Sequence, residues 1–194
     1  MKPGHSNPQS NSSGVLRWLS PSVTRELGIL LCLSVGFPFM IHTISVPENA
    51  QLGLRLLPMF YAPLLAALWG RMQSAVTVAL LAPWLNWALT SHPSPLSAIG
   101  MTVQLLGFVF TLRILLSSLG ARWLLAAPAY LSGMAASALA SVVFPTLIGG
   151  QGTLTWVAKS MAMGLPGIAI LILINWLALR YYPPSAAGGG SFAT

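Results

Sequence analysis

Residues 98–116 read AIGMTVQLLGFVFTLRILL, a run whose single charge, Arg113, falls in its last turns. A helix needs about 20 mostly apolar residues to cross the hydrocarbon of a bilayer, and this run has that length. Its flanks give it a direction. Before it, His92-Pro93-Ser94-Pro95 stops any preceding helix and carries no Lys or Arg. After it, a turn containing Gly120 leads to Arg122. Arg113 is close enough to that end to snorkel to the interface.

Working outward, five further apolar runs occupy residues 27–46, 54–70, 74–91, 123–148 and 156–179. Threaded through a membrane in order, they place Arg17, Arg25, Arg71, Arg122 and Arg180 on one side. The connections 47–53, 92–97 and 149–155 fall on the other side and contain no Lys or Arg. This is the positive-inside pattern. It predicts an all-α, polytopic membrane protein with six transmembrane helices and both termini in the cytoplasm, in a bacterial inner membrane. Residues 21–182 form the transmembrane domain. Residues 1–20, rich in Ser, Asn, Pro and Gly, and the Gly-rich stretch 183–194 read as disordered tails. The first apolar run is too long for the h-region of a cleaved signal peptide.

Composition excludes other classes. The chain is 55% hydrophobic and 6% charged over 194 residues, whereas soluble domains are nearer about a quarter charged. The net charge of +7 does not indicate nucleic acid, because the basic residues stand at helix ends and form no patch. They read as topology signals and contacts to anionic lipid. The one cysteine, Cys32, permits no disulfide within the chain.

Function is sought in the polar groups left on the outer side. Arg55 and Lys159 lie just inside the outer ends of the second and sixth runs, where a bare charge is costly. Either they snorkel to headgroups, or they line an outward-facing pocket for an anionic or strongly polar solute. Glu48 is in reach of either. Asn86, His92 and Gln104 add donors and acceptors near the same level. Tyr61, Trp84 and Trp87 add aromatic faces, while Trp156 fits an interfacial belt. Pro58, Pro63, Pro83 and Pro166-Gly167 interrupt three of the helices and free backbone groups that neighbours or a cavity must satisfy. The expected substrate-binding set is therefore Arg55, Tyr61, Trp84, Asn86, Trp87, His92, Gln104 and Lys159.

Small residues recur at Gly28, Cys32 and Gly36, one face of the first helix. The simplest reading is close packing on a helix of the same chain, and the alternative is docking of a separate subunit. Ala129, Gly133, Ser137 and Ser141 form a second stripe, read as internal packing with serines bonded back to their own helix. An enzyme is not expected. The two acids, Glu26 and Glu48, form no mid-membrane pair, and there is no Gly-x-Ser-x-Gly elbow and no Walker sequence. No cofactor or metal is implied.

Arg55-Leu56-Leu57-Pro58-Met59-Phe60-Tyr61-Ala62-Pro63-Leu64, Ala82-Pro83-Trp84-Leu85-Asn86, and Lys159 followed by Leu165-Pro166-Gly167 resemble segments of the S-components of energy-coupling-factor (ECF) vitamin transporters. The resemblance implies a six-helix subunit that captures a vitamin-like micronutrient at the outer face and topples to release it inside. It implies docking on a module of a membrane scaffold and two ATPases through an Ala-x-x-x-Ala stripe on the first helix. Here that stripe is Gly28, Cys32 and Gly36, with the spacing kept and the residues changed, which leaves room for a solitary member working without the module. Solitary cobalamin carriers of this kind make cobalamin the expected solute, suited to a Trp-lined pocket. Cobalt–thiolate chemistry is not implied, because Cys32 lies on the first helix. The competing expectation is a non-transporting scaffold subunit of a cell-envelope complex, with small-residue stripes and short loops but no internal cavity.

Overall fold

The computed structural model describes residues 21–43, 52–69, 71–91, 93–150 and 152–181. Among them every regular element is helical. In chain order these are α1 (Pro21–Thr43), α2 (Leu52–Leu56), a 3-10 turn (Pro58–Phe60), α3 (Tyr61–Trp69), α4 (Met72–Thr90), α5 (Pro95–Leu119), α6 (Ala126–Val143), a second 3-10 turn (Pro145–Ile148) and α7 (Thr153–Tyr181). Four stretches are long and apolar enough to cross a membrane: Pro21–Ile41, Pro95–Leu119, Ala126–Val143 and Pro145–Tyr181. Their outer faces carry large exposed apolar side chains such as Phe39, Phe110, Leu139, Val142 and Leu154. That is the coat of a multi-pass membrane protein, whose backbone bonds are closed within helices.

The second expected span departs most from the sequence reading. Residues 54–70 do not form one helix. Leu57 adopts the left-handed conformation (φ 53°, ψ 42°), with Pro58 beginning the next turn. The apolar piece that follows, Pro58–Trp69, is about 18 Å long at 1.5 Å per residue, well short of a bilayer core of about 30 Å. Its reason for being helical is burial. Tyr61, Ala62, Pro63, Leu64, Ala66, Ala67 and Leu68 are all buried, because α3 packs against α1, α4, α5 and α7 at once. The third expected span, α4, is long enough but less apolar than the four above.

Other boundaries follow local chemistry. Ser94 caps α5 by accepting the Ser97 N–H, and Pro95 takes the first turn, where its missing N–H costs nothing. Pro145 ends the fifth expected run as a helix at Val143 and turns residues 145–148 into a 3-10 segment. Gly149 and Gly150 then supply positive φ (both 71°) for the reversal into α7.

Phe60 sits at the centre of the core. Its ring meets Phe108 of α5 edge-on at 5.3 Å and Tyr130 of α6 at 5.2 Å, a favoured aromatic geometry. The α5–α6 seam is tight because it is lined by small residues. A Cβ on Gly133 would collide with the Gln104 carbonyl oxygen, and one on Gly107 would lie 3.1 Å from the Gly133 Cα. The 129/133/137/141 stripe therefore packs internally, with all four residues buried. Ser141 bonds back to Ala138 of its own helix, whereas Ser137 bonds across to Gly100 of α5.

Arg113 does not simply snorkel. Its guanidinium donates to the Ala67 carbonyl at 3.0 Å, one of the acceptors left open at the end of α3. Along the Gly28/Cys32/Gly36 stripe, no described residue beyond the adjoining turns of α1 comes within 4 Å of a Cβ placed on Gly28 or Gly36, and Cys32 is exposed.

Candidate solute-binding site

A partly open cavity of about 430 Å³ lies at the end of the bundle that carries the connections before α5 and α7. Each wall is a helix face that can be read from spacing. Helix α5 contributes Ser97, Gly100, Met101 and Gln104, which recur at i, i+3, i+4 and i+7 and so share one face. Helix α7 contributes Trp156, Lys159 and Ser160 at i, i+3 and i+4, and α6 contributes Tyr130 and Ser137. The break in the second segment supplies the apolar floor: Leu57, Pro58, Met59 and Phe60. Ile148 of the second 3-10 turn and Gly149 just after it close the side.

The walls are held rigidly. Ser137 donates to the Gly100 carbonyl at 2.8 Å, and the Ser141 and Thr153 hydroxyls meet at 3.2 Å between α6 and α7. The floor is pinned from behind by Gly167. A Cβ there would lie 2.7 Å from the Arg55 carbonyl oxygen, so only glycine lets α7 approach the break this closely. The Pro166-Gly167 pair thus fits the chain turn at Leu57.

Among the described residues, Lys159 is the one charged residue in the lining, and no carboxylate of theirs lines the cavity. The Gln104 side chain lies beside the Tyr130 hydroxyl, and the Ser97, Ser137 and Ser160 hydroxyls complete the polar wall. Phe60, Tyr130 and Trp156 give it aromatic surface. Among the described residues the arrangement has one cation, an amide, several hydroxyls and ring faces, the donors and ring surface of a ligand pocket.

Two of the eight expected residues, Gln104 and Lys159, come together here. Arg55 is exposed and off the lining, although Gly53 beside it contributes. His92 lies outside the described residues. Tyr61 turns away, its hydroxyl donating to the Leu56 carbonyl that the break leaves open, and its ring meeting Phe37 edge-on at 5.5 Å. Asn86 is 2% exposed and ties helices together, its amide donating to the Ser34 carbonyl at 3.0 Å and to the Ala82 carbonyl at 2.9 Å. Trp84 and Trp87 stack edge-on at 6.2 Å on an outer face of α4, each more than a third exposed. Sequence reasoning missed Tyr130, Ser137 and Ser160 as pocket residues. Ser160 stands at i+4 from Trp156 on the face that Lys159 marks, so helical spacing was a signal for it, whereas Tyr130 and Ser137 lie on α6 and nothing in their own run aims them at the cavity. Compared with known proteins, the chain matches no family model, no curated protein and no solved structure.

Proposed function

We propose that this is the substrate-binding subunit of a membrane transporter, taking up a small anionic solute with a ring system from the outer face. The cavity carries the reading. It is ligand-sized and partly open, at one end of the bundle. Among the described residues its one charge is Lys159, a donor suited to carboxylate or phosphate oxygens, and its aromatic walls suit a ring. Six crossings with both termini cytoplasmic put this end outside, since Arg71, Arg122 and Arg180 stand at the other. The broken second segment and α4 are then the two crossings sheltered or partly sheltered by the other helices. A bacterial cytoplasmic membrane follows from the same reading.

The volume bears on the solute. Drug-sized pockets run from about 300 to 1,000 Å³, and 430 Å³ is near the lower end. A smaller vitamin-like acid fits this chamber directly, whereas cobalamin, the solute expected from the resemblance, would have to extend through its open side. The resemblance to ECF S-components supports uptake. The open Gly28/Cys32/Gly36 stripe supports docking of a partner such as the ECF module on α1. The same stripe is the observation that favours a scaffold subunit instead, but a scaffold has no use for a ligand-sized cavity that holds a cation.

A thermal-shift panel of carboxylated and phosphorylated vitamins on the detergent-purified protein tests the reading. One compound at about 100 times its Kd adds about 2.7 kcal/mol to stability, a clear rise in Tm. A panel in which nothing moves the melting temperature overturns the proposal and favours the scaffold.

A further inference from the structure

The opposite end of the bundle carries a second pair of connected hollows. An open groove of about 730 Å³ is lined by Arg122, Arg180, Trp123 and Trp176 together with apolar residues of the α5–α6 turn. A shallower furrow of about 340 Å³ continues from it, sharing Trp123 and Trp176 and adding Ala169, Ile172 and Leu173. Residues 169, 172, 173, 176 and 180 recur at helical spacing, so they form one stripe along α7. From Arg180 to Ala169 the stripe is about 16 Å long at 1.5 Å per residue. That matches half of a bilayer core about 30 Å thick.

The groove is preformed. The buried Asn175 amide donates to the Arg122 and Trp123 carbonyls at 3.1 and 2.8 Å, which fixes the turn against α7. The Arg180 guanidinium stands 5.5 Å from the Trp176 ring centroid, and the Arg122 Nε donates to the Leu119 carbonyl. Both arginines are exposed, and among the described residues no carboxylate lines either hollow.

The geometry points to a bound anionic phospholipid. Its phosphate sits between Arg122 and Arg180 at the headgroup level, and one acyl chain follows the Trp-walled furrow toward mid-bilayer. Two uncompensated guanidinium groups select negative charge, and the apolar furrow selects a molecule with a tail over a free anion. This inference requires the membrane assignment and is independent of the solute-binding reading.

Native mass spectrometry of the full chain, offered equal amounts of phosphatidylglycerol and phosphatidylcholine, tests it. The wild type should retain one phosphatidylglycerol in preference to phosphatidylcholine by roughly thirtyfold, the scale set by two arginines near a charged headgroup. The Arg122→Gln/Arg180→Gln double variant should bring the ratio near one. Arg71→Gln, which changes an exposed arginine outside the groove, should leave it unchanged. Equal retention of the two lipids by the wild type overturns the inference, as does a preference that survives in the double variant. Displacement of the lipid by inorganic phosphate also overturns it, because a headgroup-only site would not need the furrow. A second reading uses the wild type alone. Phosphatidylglycerol with brominated acyl chains should quench tryptophan emission more than brominated phosphatidylcholine, and equal quenching counts against the site.

Discussion

Asn86 shows how one polar residue in an apolar run carries two meanings until its neighbours are known. Its amide is spent on the Ser34 and Ala82 carbonyls and the Met59 sulfur, so its task is to hold α4 on α1 and to back the turn at Met59. Asn86→Ala should lower stability by about 1–3 kcal/mol, the scale of a lost buried hydrogen bond, and change solute affinity far less than removal of Lys159 does. Thermal unfolding and binding measured on the same sample separate these effects. Lys159→Ala should do the reverse, weakening binding by about tenfold or more, since hydrogen bonds to a charged group are worth about 1.5–3 kcal/mol, with little change in Tm for an exposed side chain. Both residues are polar interruptions at similar depth in the sequence. Which one faces the cavity depends on helix rotation, and the pattern of α4, apolar on nearly every side, does not reveal it. Lys159 was easier to read because it stands at i+3 from Trp156 near a helix start.

Helices with simple punctuation were legible as elements. Ser94-Pro95 opens α5, and Gly149-Gly150 precedes α7, as cap and turn chemistry require. The second segment was not legible, because its composition is that of a spanning helix while its backbone breaks at Leu57. Pro58 and Pro63 announced an interruption, but only tertiary contact with Gly167 explains why the break is kept. The Tyr61 hydroxyl satisfies the Leu56 carbonyl that the break exposes. Tyr61→Phe should therefore cost about 1–2 kcal/mol, since the carbonyl loses its donor in an apolar surround, read as a lower melting temperature. Gly133→Ala places a methyl against the Gln104 carbonyl oxygen. It should cost about 1–3 kcal/mol as an overpacked seam, and it should also weaken solute binding, because the displaced backbone carries Gln104.

At the scale of the molecule, the short α3 is enclosed by longer helices and the two ends differ in charge. The end holding the cavity offers Lys159 within it, and the other presents Arg71, Arg122 and Arg180. Charge asymmetry was readable from the sequence alone because it needs only the order of the runs. The cavity was not, because it depends on a chain break and a glycine contact far apart in sequence. The proposed orientation predicts that single cysteines at Ser94 and Gly150, in a Cys32→Ser background, react with a membrane-impermeant maleimide in intact cells. A cysteine at Ala121 should react only after the membrane is opened. The reverse labelling would invert the topology and remove the case for an outer-face pocket.

The most direct measurement is native mass spectrometry of the purified wild type, Lys159→Ala and Asn86→Ala against the same set of anionic vitamins. The account predicts one solute bound one-to-one by the wild type and by Asn86→Ala, and lost from Lys159→Ala. A wild type that binds no member of the set, or a solute held equally well without Lys159, would contradict it.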